Sequence, residues 1–412
     1  MAAARGDTKA SGKGIVKILV SNIGSTSFKF RLFEMAGGGE RELAWGGADR
    51  IGGRGGALRW QAAGGLKREL PQDFADQGAA IQCVLDQLVS GGVLASPQDL
   101  GAVAFKAVMA GECPAVAPVD DGLLERMDYY SPAMPAHNPP YIAAMKMFRK
   151  VLPGTPLVAA LETGFHETIP ARRRYYAVPP EWARKYGIRR FGFHGASHRY
   201  IATRTTELMG PAAARRIISC HLGGSSSLCA IRKGQSVATT MGLSAQSGLP
   251  QGRRAGDFDV FALPLLKRQA GLDTDQVLKV LGSGSGLAAL SGTAGDMRDI
   301  HEAALAGDEQ AGLTVDLFVT AVRDFLGAYI VELGGADAIV FTGGIGENNP
   351  WLRADICRDL EFAGIKLDEA KNESADGEAR IEAADAKTAV WVIPTNEELI
   401  VARQAAEMLA KQ

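Results

Sequence analysis

Three short segments of this chain place glycine beside small hydroxyl or amide residues directly after an apolar run. They are NIGSTS at 22–27, HLGGSS at 221–226 and TGGIGEN at 342–348. Glycine lets the backbone approach a ligand closely, and successive N–H groups in such a turn converge on anionic oxygens. None of the three contains GxxxxGK[ST] or GxGxxG, so neither a P-loop nor a dinucleotide fingerprint is present. A nucleotide site of another build is left open.

The elements that must position these turns repeat. Residues 15–20 are apolar and β-branched and the FKFRLF run after the turn alternates, which predicts strand, tight turn, strand. The segment IISCHLGGSSSLCAI aligns without a gap on ILVSNIGSTSFKFRL, 199 residues apart, and sets Asn22 over His221, Gly24 over Gly223 and Ser27 over Ser226. Hairpins with Gly/Ser turns are common, so position carries the match: each opens a half of ~200 residues, as expected if both halves begin with a phosphate-binding hairpin. Two related halves would then face each other across a cleft. Helical spacing is predicted over 78–91 and 139–151, with Pro135, Pro139 and Pro140 punctuating the loop that holds His137. A long helix over 308–333 is capped by Gly334 and Gly335, followed by a buried strand at 338–341 and a turn, TGGIGENNP. Strands alternating with helices make this an α/β protein.

At 412 residues and ~150 per domain, two or three domains are expected. Lys plus Arg (45) nearly cancels Asp plus Glu (46), so no global field attracts nucleic acid or an anionic membrane, and any anion must be held locally. Five cysteines without a CxxC pair argue against zinc and disulfides and for a reducing, cytoplasmic setting. No run reaches the ~18 apolar residues of a membrane span, and residues 1–14, lacking an apolar signal core, read as a frayed tail.

The motifs NIGSTSFKF, PAHNPP, FGFHGASHRY, HLGGSSS, GDMRD, FTGGIGEN and IPTNEE occur in the order found in acetate kinases, and from about Lys17 to the C-terminus the chain resembles the acetate/propionate kinase family. The resemblance implies the duplicated two-domain fold of sugar kinases, actin and Hsp70, with an interdomain active-site cleft. It divides the chain into an acyl-substrate and phosphate domain over 15–165 and a nucleotide-binding domain over 166–412, the last helix being free to pack back on the first domain. It also implies ATP/ADP as co-substrate, Mg²⁺ (or Mn²⁺), a short-chain carboxylate acceptor and a homodimer. Residue by residue, Asn22 and Glu397 would organise the metal, and Ser25, Ser27 and Lys29 belong to the phosphate-side hairpin. His194 and Arg254 match the residues that stabilise the transferring phosphoryl group, with Arg253 the competing arginine, and His137 matches a further active-site histidine. His221, Leu222, Gly223, Gly224 and Ser225 would lie near the phosphates. Asp296, Met297 and Arg298 would lie at the ribose and adenine, and Gly344, Ile345, Gly346, Glu347 and Asn348 along the adenosine. His166, His198 and His301 read as structural.

The chain departs from the family pattern near the acyl end. Glu162 in LETGFH stands where the family has a catalytic Asp, and one extra methylene displaces a carboxylate by roughly an ångström. Lys106 in FKAVMAG replaces the substrate-binding Arg and cannot form its bidentate fork, and Met109 replaces a His. Gly224 and Ser225 replace an Asn and a Gly. Val108 and Phe193 match the family's acyl pocket, whereas Ala136 and Ala245 replace larger residues, which predicts a wider pocket. Two functions follow: an ATP-dependent carboxylate kinase, favoured because charge is retained at 106 and 162, and a weakened nucleotide-binding relative acting as a sensor or interaction partner.

Overall fold

The computed structural model describes residues 14–24, 26–37 and 39–411. The tail expected over 1–14 lies outside the described residues except for Gly14, and so does Ser25 of the first hairpin.

Two sheets organise the chain. The first holds β1 (Val16–Ile23), β2 (Phe28–Ala36), β3 (Gly39–Asp49), β4 (Ala57–Ala62), β5 (Lys67–Pro71), β6 (Leu100–Ala107), β7 (Val116–Pro118) and β8 (Leu157–Leu161), in the order β5-β4-β3-β2-β1-β6-β8-β7. The second holds β9 (Arg216–His221), β10 (Ser227–Arg232), β11 (Gln235–Thr239), β12 (Ala338–Thr342), β13 (Ala379–Arg380) and β14 (Ala389–Val392), in the order β11-β10-β9-β12-β14-β13. The opening strand of each sheet pairs antiparallel with its hairpin partner and parallel with the next strand in the sheet, β1 with β2 and β6, β9 with β10 and β12. The run β3-β2-β1-β6-β8 thus repeats as β11-β10-β9-β12-β14, and the sequence repeat marks its equivalent hairpins. The duplicated α/β fold is present as expected.

The centre of the first sheet, β1, β6 and β8, is buried on both faces because residues pointing in both directions from these strands are apolar. Leu19, Phe28 and Phe30 join a core with Ile81, Leu85, Met145 and Phe148 from the helices Gln77–Ser90 and Asn138–Val151. Ile18 and Val20 point the other way, onto Ile400, Val401, Ala402 and Ala405 of the helix Glu397–Leu409. The end of the chain therefore lies on the first sheet. In the second sheet, Ile218, Leu228 and Ala230 pack on Phe318, Val322 and Leu326 of the helix Glu309–Leu333, which Asp308 caps and Gly334 terminates in a left-handed conformation. The opposite face of that sheet receives Ile201 and Ala202 from the helix Gly195–Met209.

One element differs from expectation. TGGIGENNP is not a turn: residues 343–348 form a short helix, Gly343–Asn348. Gly343 (φ 79°) enters it in the left-handed region, where a Cβ would meet the Leu222 carbonyl oxygen at 2.6 Å. Glu347 then turns back to accept from the Gly343 N–H at 2.7 Å, a local closure that glycine-rich composition hides.

Candidate active site

The glycine-rich turns of the second half meet around a cleft of about 870 Å³. Leu222 joins them: its N–H donates to the Thr342 carbonyl, and its own carbonyl accepts from Ile345 and Gly346. Of the residues expected along a nucleotide, Gly223, Gly224, Asp296, Met297, Arg298, Gly344, Ile345 and Asn348 line this cleft, together with Arg253 and Arg254. Met297 belongs to its floor, since it is 1 % exposed and packs in the second core. Asp296 caps the helix Met297–Leu305 and pairs with Arg298 at 2.6 Å, which holds its carboxyl down at about 2. Leu222 and Gly346 are structural ties behind the wall, and Glu347 is spent on its own helix. Lys29 lies on β2 opposite Asn22, exposed and outside the residues that line the cleft.

A second group of polar residues, buried or half-buried, lies where β1, β6 and β8 end beneath the C-terminal helix. Lys106, at the end of β6, forms an ion pair with Glu397, the first residue of that helix. Burial alone would lower the Lys106 pKa, but Glu397 and Glu162 together hold it above its ordinary value. The same ammonium, with His221, keeps Glu397 below the usual range against its own burial. Glu162, just after β8, is 6 % exposed, and among the described residues neither carboxylate oxygen has a hydrogen-bond partner. Burial pushes it up to about 7 despite Lys106 and the nearby N–H groups of Gly195 and Ala196. Tyr141 donates to Asn22 Oδ1 at 3.1 Å and accepts from the Ile23 N–H at 3.3 Å, so the proposed metal amide is held from behind. Its own hydroxyl is pushed up to about 12, chiefly by burial.

Arg254 connects this cluster to the glycine-lined cleft. Its Nη1 donates to Gln251 Oε1 at 2.9 Å and Ser225 Oγ at 3.3 Å, and its Nη2 lies 3.4 Å from His137 Nε2. Burial, then Arg254 and Lys106, lower the His137 pKa to about 4, so the ring is neutral and its Nε2 can accept from the guanidinium. Arg253 instead donates to the Ser283 carbonyl and points away from this network.

Four histidines gather at the start of the helix Gly195–Met209. His194 adopts φ 57°, a left-handed conformation unusual for a side-chain-bearing residue, and this reversal lets the Gly195 N–H donate to the Glu162 carbonyl at 3.0 Å. Gly195 is required there, since a Cβ would fall 2.1 Å from that oxygen. The His194 ring stacks on His221 at 4.2 Å, and its Nδ1 is 2.8 Å from Ser227 Oγ. Burial and then the neighbouring charged forms of His221 and His198 hold it well below its ordinary pKa. His198 and His166 are buried in serine-bonded positions, and His301 stacks on Trp351.

On the apolar side, Val108, Phe193 and Ala245 share one core cluster with Met109 and Met241. Ala136 does not join them: it is exposed in the turn before the helix Asn138–Val151. Of the two alanines expected to widen a pocket, Ala245 is the buried one, with its carbonyl accepting from Gln251 Nε2 at 2.7 Å.

Sequence reasoning passed over Tyr141, Gln251 and Ser227. Tyr141 could have been found, since it lies one helical turn after His137 on a helix opened by two prolines. Gln251 and Ser227 carry no periodic signal, and their contacts come from distant chain segments.

The acetokinase family pattern matches residues 17–403. The chain is 40 % identical over 400 residues to the acetate kinase of Natranaerobius thermophilus, covering 96 % of this chain and 100 % of that one. It is also 40 % identical to the acetate kinase of Thermotoga maritima over 403 residues, 96 % of this chain and 99 % of that one. Among solved structures, Porphyromonas gingivalis acetate kinase superposes with a TM-score of 0.86 at 33 % identity, over 96 % of this chain and 100 % of that one. A propionate kinase from Francisella tularensis subsp. tularensis SCHU S4 also gives 0.86, at 30 % identity over 94 % and 98 %. Matched from end to end in sequence and in three dimensions, the chain belongs to the acetokinase family.

Proposed function

We propose that the protein transfers the γ-phosphoryl group of ATP to a short-chain carboxylate, giving an acyl phosphate and ADP by direct, reversible in-line displacement. A carboxylate oxygen bonds to the γ-phosphorus as the bridging oxygen to the β-phosphate leaves with ADP. The observation that carries this reading is the place of Arg254, whose guanidinium edges the nucleotide cleft and also reaches His137 beside the buried charges. Charge in a loose phosphoryl transition state lies on the equatorial oxygens, and Arg254 and His194 are the donors set between the two groups. Glu397 pairs with the Lys106 ammonium, Glu162 adds its charge nearby, and Lys106 faces the carboxylate of the acid as a point charge. No observation favours the sensor alternative.

Glu397 and Asn22 fit Mg²⁺ or Mn²⁺ better than they fit a metal needing an all-protein cage. One carboxylate and one amide suffice for a hard cation that keeps waters and takes phosphate oxygens, and among the described residues no group of three or more His, Cys, Asp or Glu is placed to hold a metal. When bound, the ion neutralises charge on the phosphates. The same reading includes two units, 15–165 and 166–412, with the final helix seated on the first, and a cytosolic homodimer. Five free thiols agree with the compartment. A dimer would cover Val260 (64 % exposed), Phe261 (81 %) and Leu265 (54 %) beside an apolar groove of about 850 Å³. Light scattering should return twice the chain mass.

Arg254→Ala and His194→Ala should each lower kcat by roughly a hundredfold or more while KM for ATP moves only a few-fold. Parallel losses of rate and nucleotide affinity would remove them from the transition state. A hydroxamate assay over C2 to C5 acids should find propionate equal to or better than acetate in kcat/KM, because each methylene filling the space beside Ala245 gains up to ~1 kcal/mol. A strong preference for acetate would rule out the wider pocket.

A further inference from the structure

Behind His194 runs a closed series of hydrogen bonds that no part of the proposed reaction uses. His194 Nδ1 lies 2.8 Å from Ser227 Oγ, Ser227 Oγ lies 2.9 Å from His198 Nε2, and His198 Nδ1 lies 2.9 Å from Ser219 Oγ. Ser219, Ser227 and His198 are all 0 % exposed. Water has no access to these groups, so each must find its hydrogen-bond partner within the series.

Proton counting allows three arrangements. A neutral imidazole carries one N–H, a serine hydroxyl carries one hydrogen, and each link needs one donor. In the first arrangement Ser219 donates to His198 Nδ1, His198 Nε2–H donates to Ser227, and Ser227 donates to His194 Nδ1. His194 is then left with its proton on Nε2, the ring nitrogen that has no hydrogen-bond partner among the described residues. In the second arrangement every link reverses, and in the third His194 Nδ1–H and His198 Nε2–H both donate to Ser227 while Ser219 donates to His198 Nδ1; in both, Nε2 carries a bare lone pair and one serine hydrogen has no acceptor within the series. Only the first presents a donor, and a bare nitrogen beside an anionic phosphoryl oxygen is repelled. His166 shows the same logic with its direction settled: its Nε2 faces the Phe193 carbonyl at 2.9 Å, which can only accept, so Ser236 must donate to Nδ1 at 2.9 Å.

We propose that Ser227, backed by His198 and Ser219, is a positioning residue that fixes His194 as the Nε2–H tautomer when an anionic phosphoryl group occupies the site. This rests on the phosphoryl role of His194 proposed above. A wrong tautomer in an otherwise intact site costs a histidine most of its catalytic value. Loss of Ser227 leaves Nδ1 without its donor and lets the ring take either form.

The test uses the full chain with ¹⁵N-labelled histidine, complexed with Mg-ADP and aluminium fluoride as the phosphoryl mimic. Two-bond ¹⁵N–¹H spectra should show His194 of the unmodified protein protonated on Nε2, and a mixture of tautomers in Ser227→Ala. In turnover, Ser227→Ala should lose roughly ten- to a hundred-fold in kcat with KM for ATP within about twofold, and Ser227→Thr should recover most of the loss. Ser219→Ala, which touches neither His194 nor Ser227, should shift the tautomer ratio in the same direction and serves if Ser227 variants do not fold. An Nδ1–H tautomer in the unmodified complex, or a single Nε2–H form with unchanged kcat in Ser227→Ala and Ser219→Ala, overturns the inference. Full activity in His194→Ala would instead overturn the phosphoryl role of His194, a separate result.

Discussion

At the scale of residues, the buried charges do not balance. Lys106 pairs with Glu397 and lies within the field of Glu162, and both oxygens of Glu162 lack a hydrogen-bond partner among the described residues. A carboxylate buried in this way is costly, and a fold that retains one is paying for function. Glu162→Gln should therefore separate stability from activity. We expect kcat to fall by roughly a hundredfold and Tm at pH 8 to rise by a few degrees, read by turnover assay and calorimetry. Lys106→Met should do the opposite to stability, leaving two unpaired acids inside, and urea unfolding should show a loss of about 3–5 kcal/mol. A smaller loss would mean that water reaches the pair.

At the scale of elements, the helix Glu397–Leu409 does two things at once. Its apolar face closes the first sheet, and its first residue delivers Glu397 to the end of β6. Asn396 caps it by accepting from the Leu399 N–H at 3.2 Å. Asn396→Ala should cost about 1 kcal/mol in urea unfolding, the usual worth of such a cap, and should also shift the Mg²⁺ titration of activity to higher concentration because Glu397 loses its fixed start. A loss of stability with an unchanged metal titration would place Glu397 outside the metal's reach.

For the whole molecule, acid should loosen the contact between the helix start that bears His194 and the second sheet. His166 bridges the Phe193 carbonyl and Ser236 of β11, and burial lowers its pKa to about 4. Between that value and the ordinary 6.5 the unfolded chain binds the proton and the folded chain does not, so stability falls as pH drops through this window. Stability is at its full value above about pH 6.5, and the loss reaches roughly 3 kcal/mol by pH 4. His166→Gln should flatten the dependence of Tm on pH over this range, and an unchanged slope would place the acid sensitivity elsewhere. Mg-ADP should raise Tm at every pH in the window, since it binds only the folded cleft.

The motifs and their order, the repeat at 199 residues, the α/β class and the identity of most charged groups were legible in the one-dimensional chain. All of these depend on residue type and local spacing: β-branched runs before glycine turns, helix caps at Asp308 and Gly334, and hairpins that recur in register. The sequence did not show that TGGIGENNP closes into a helix on Glu347, that Ala136 stands outside the apolar wall, or that Lys29 lies away from the cleft. Nor did it show that Lys106 is spent on Glu397, 291 positions away, or that Ser227 joins two histidines. These outcomes depend on which side chains meet after the sheets have stacked, and on what burial then does to their charge and proton positions. Spacing along the chain carries no record of either.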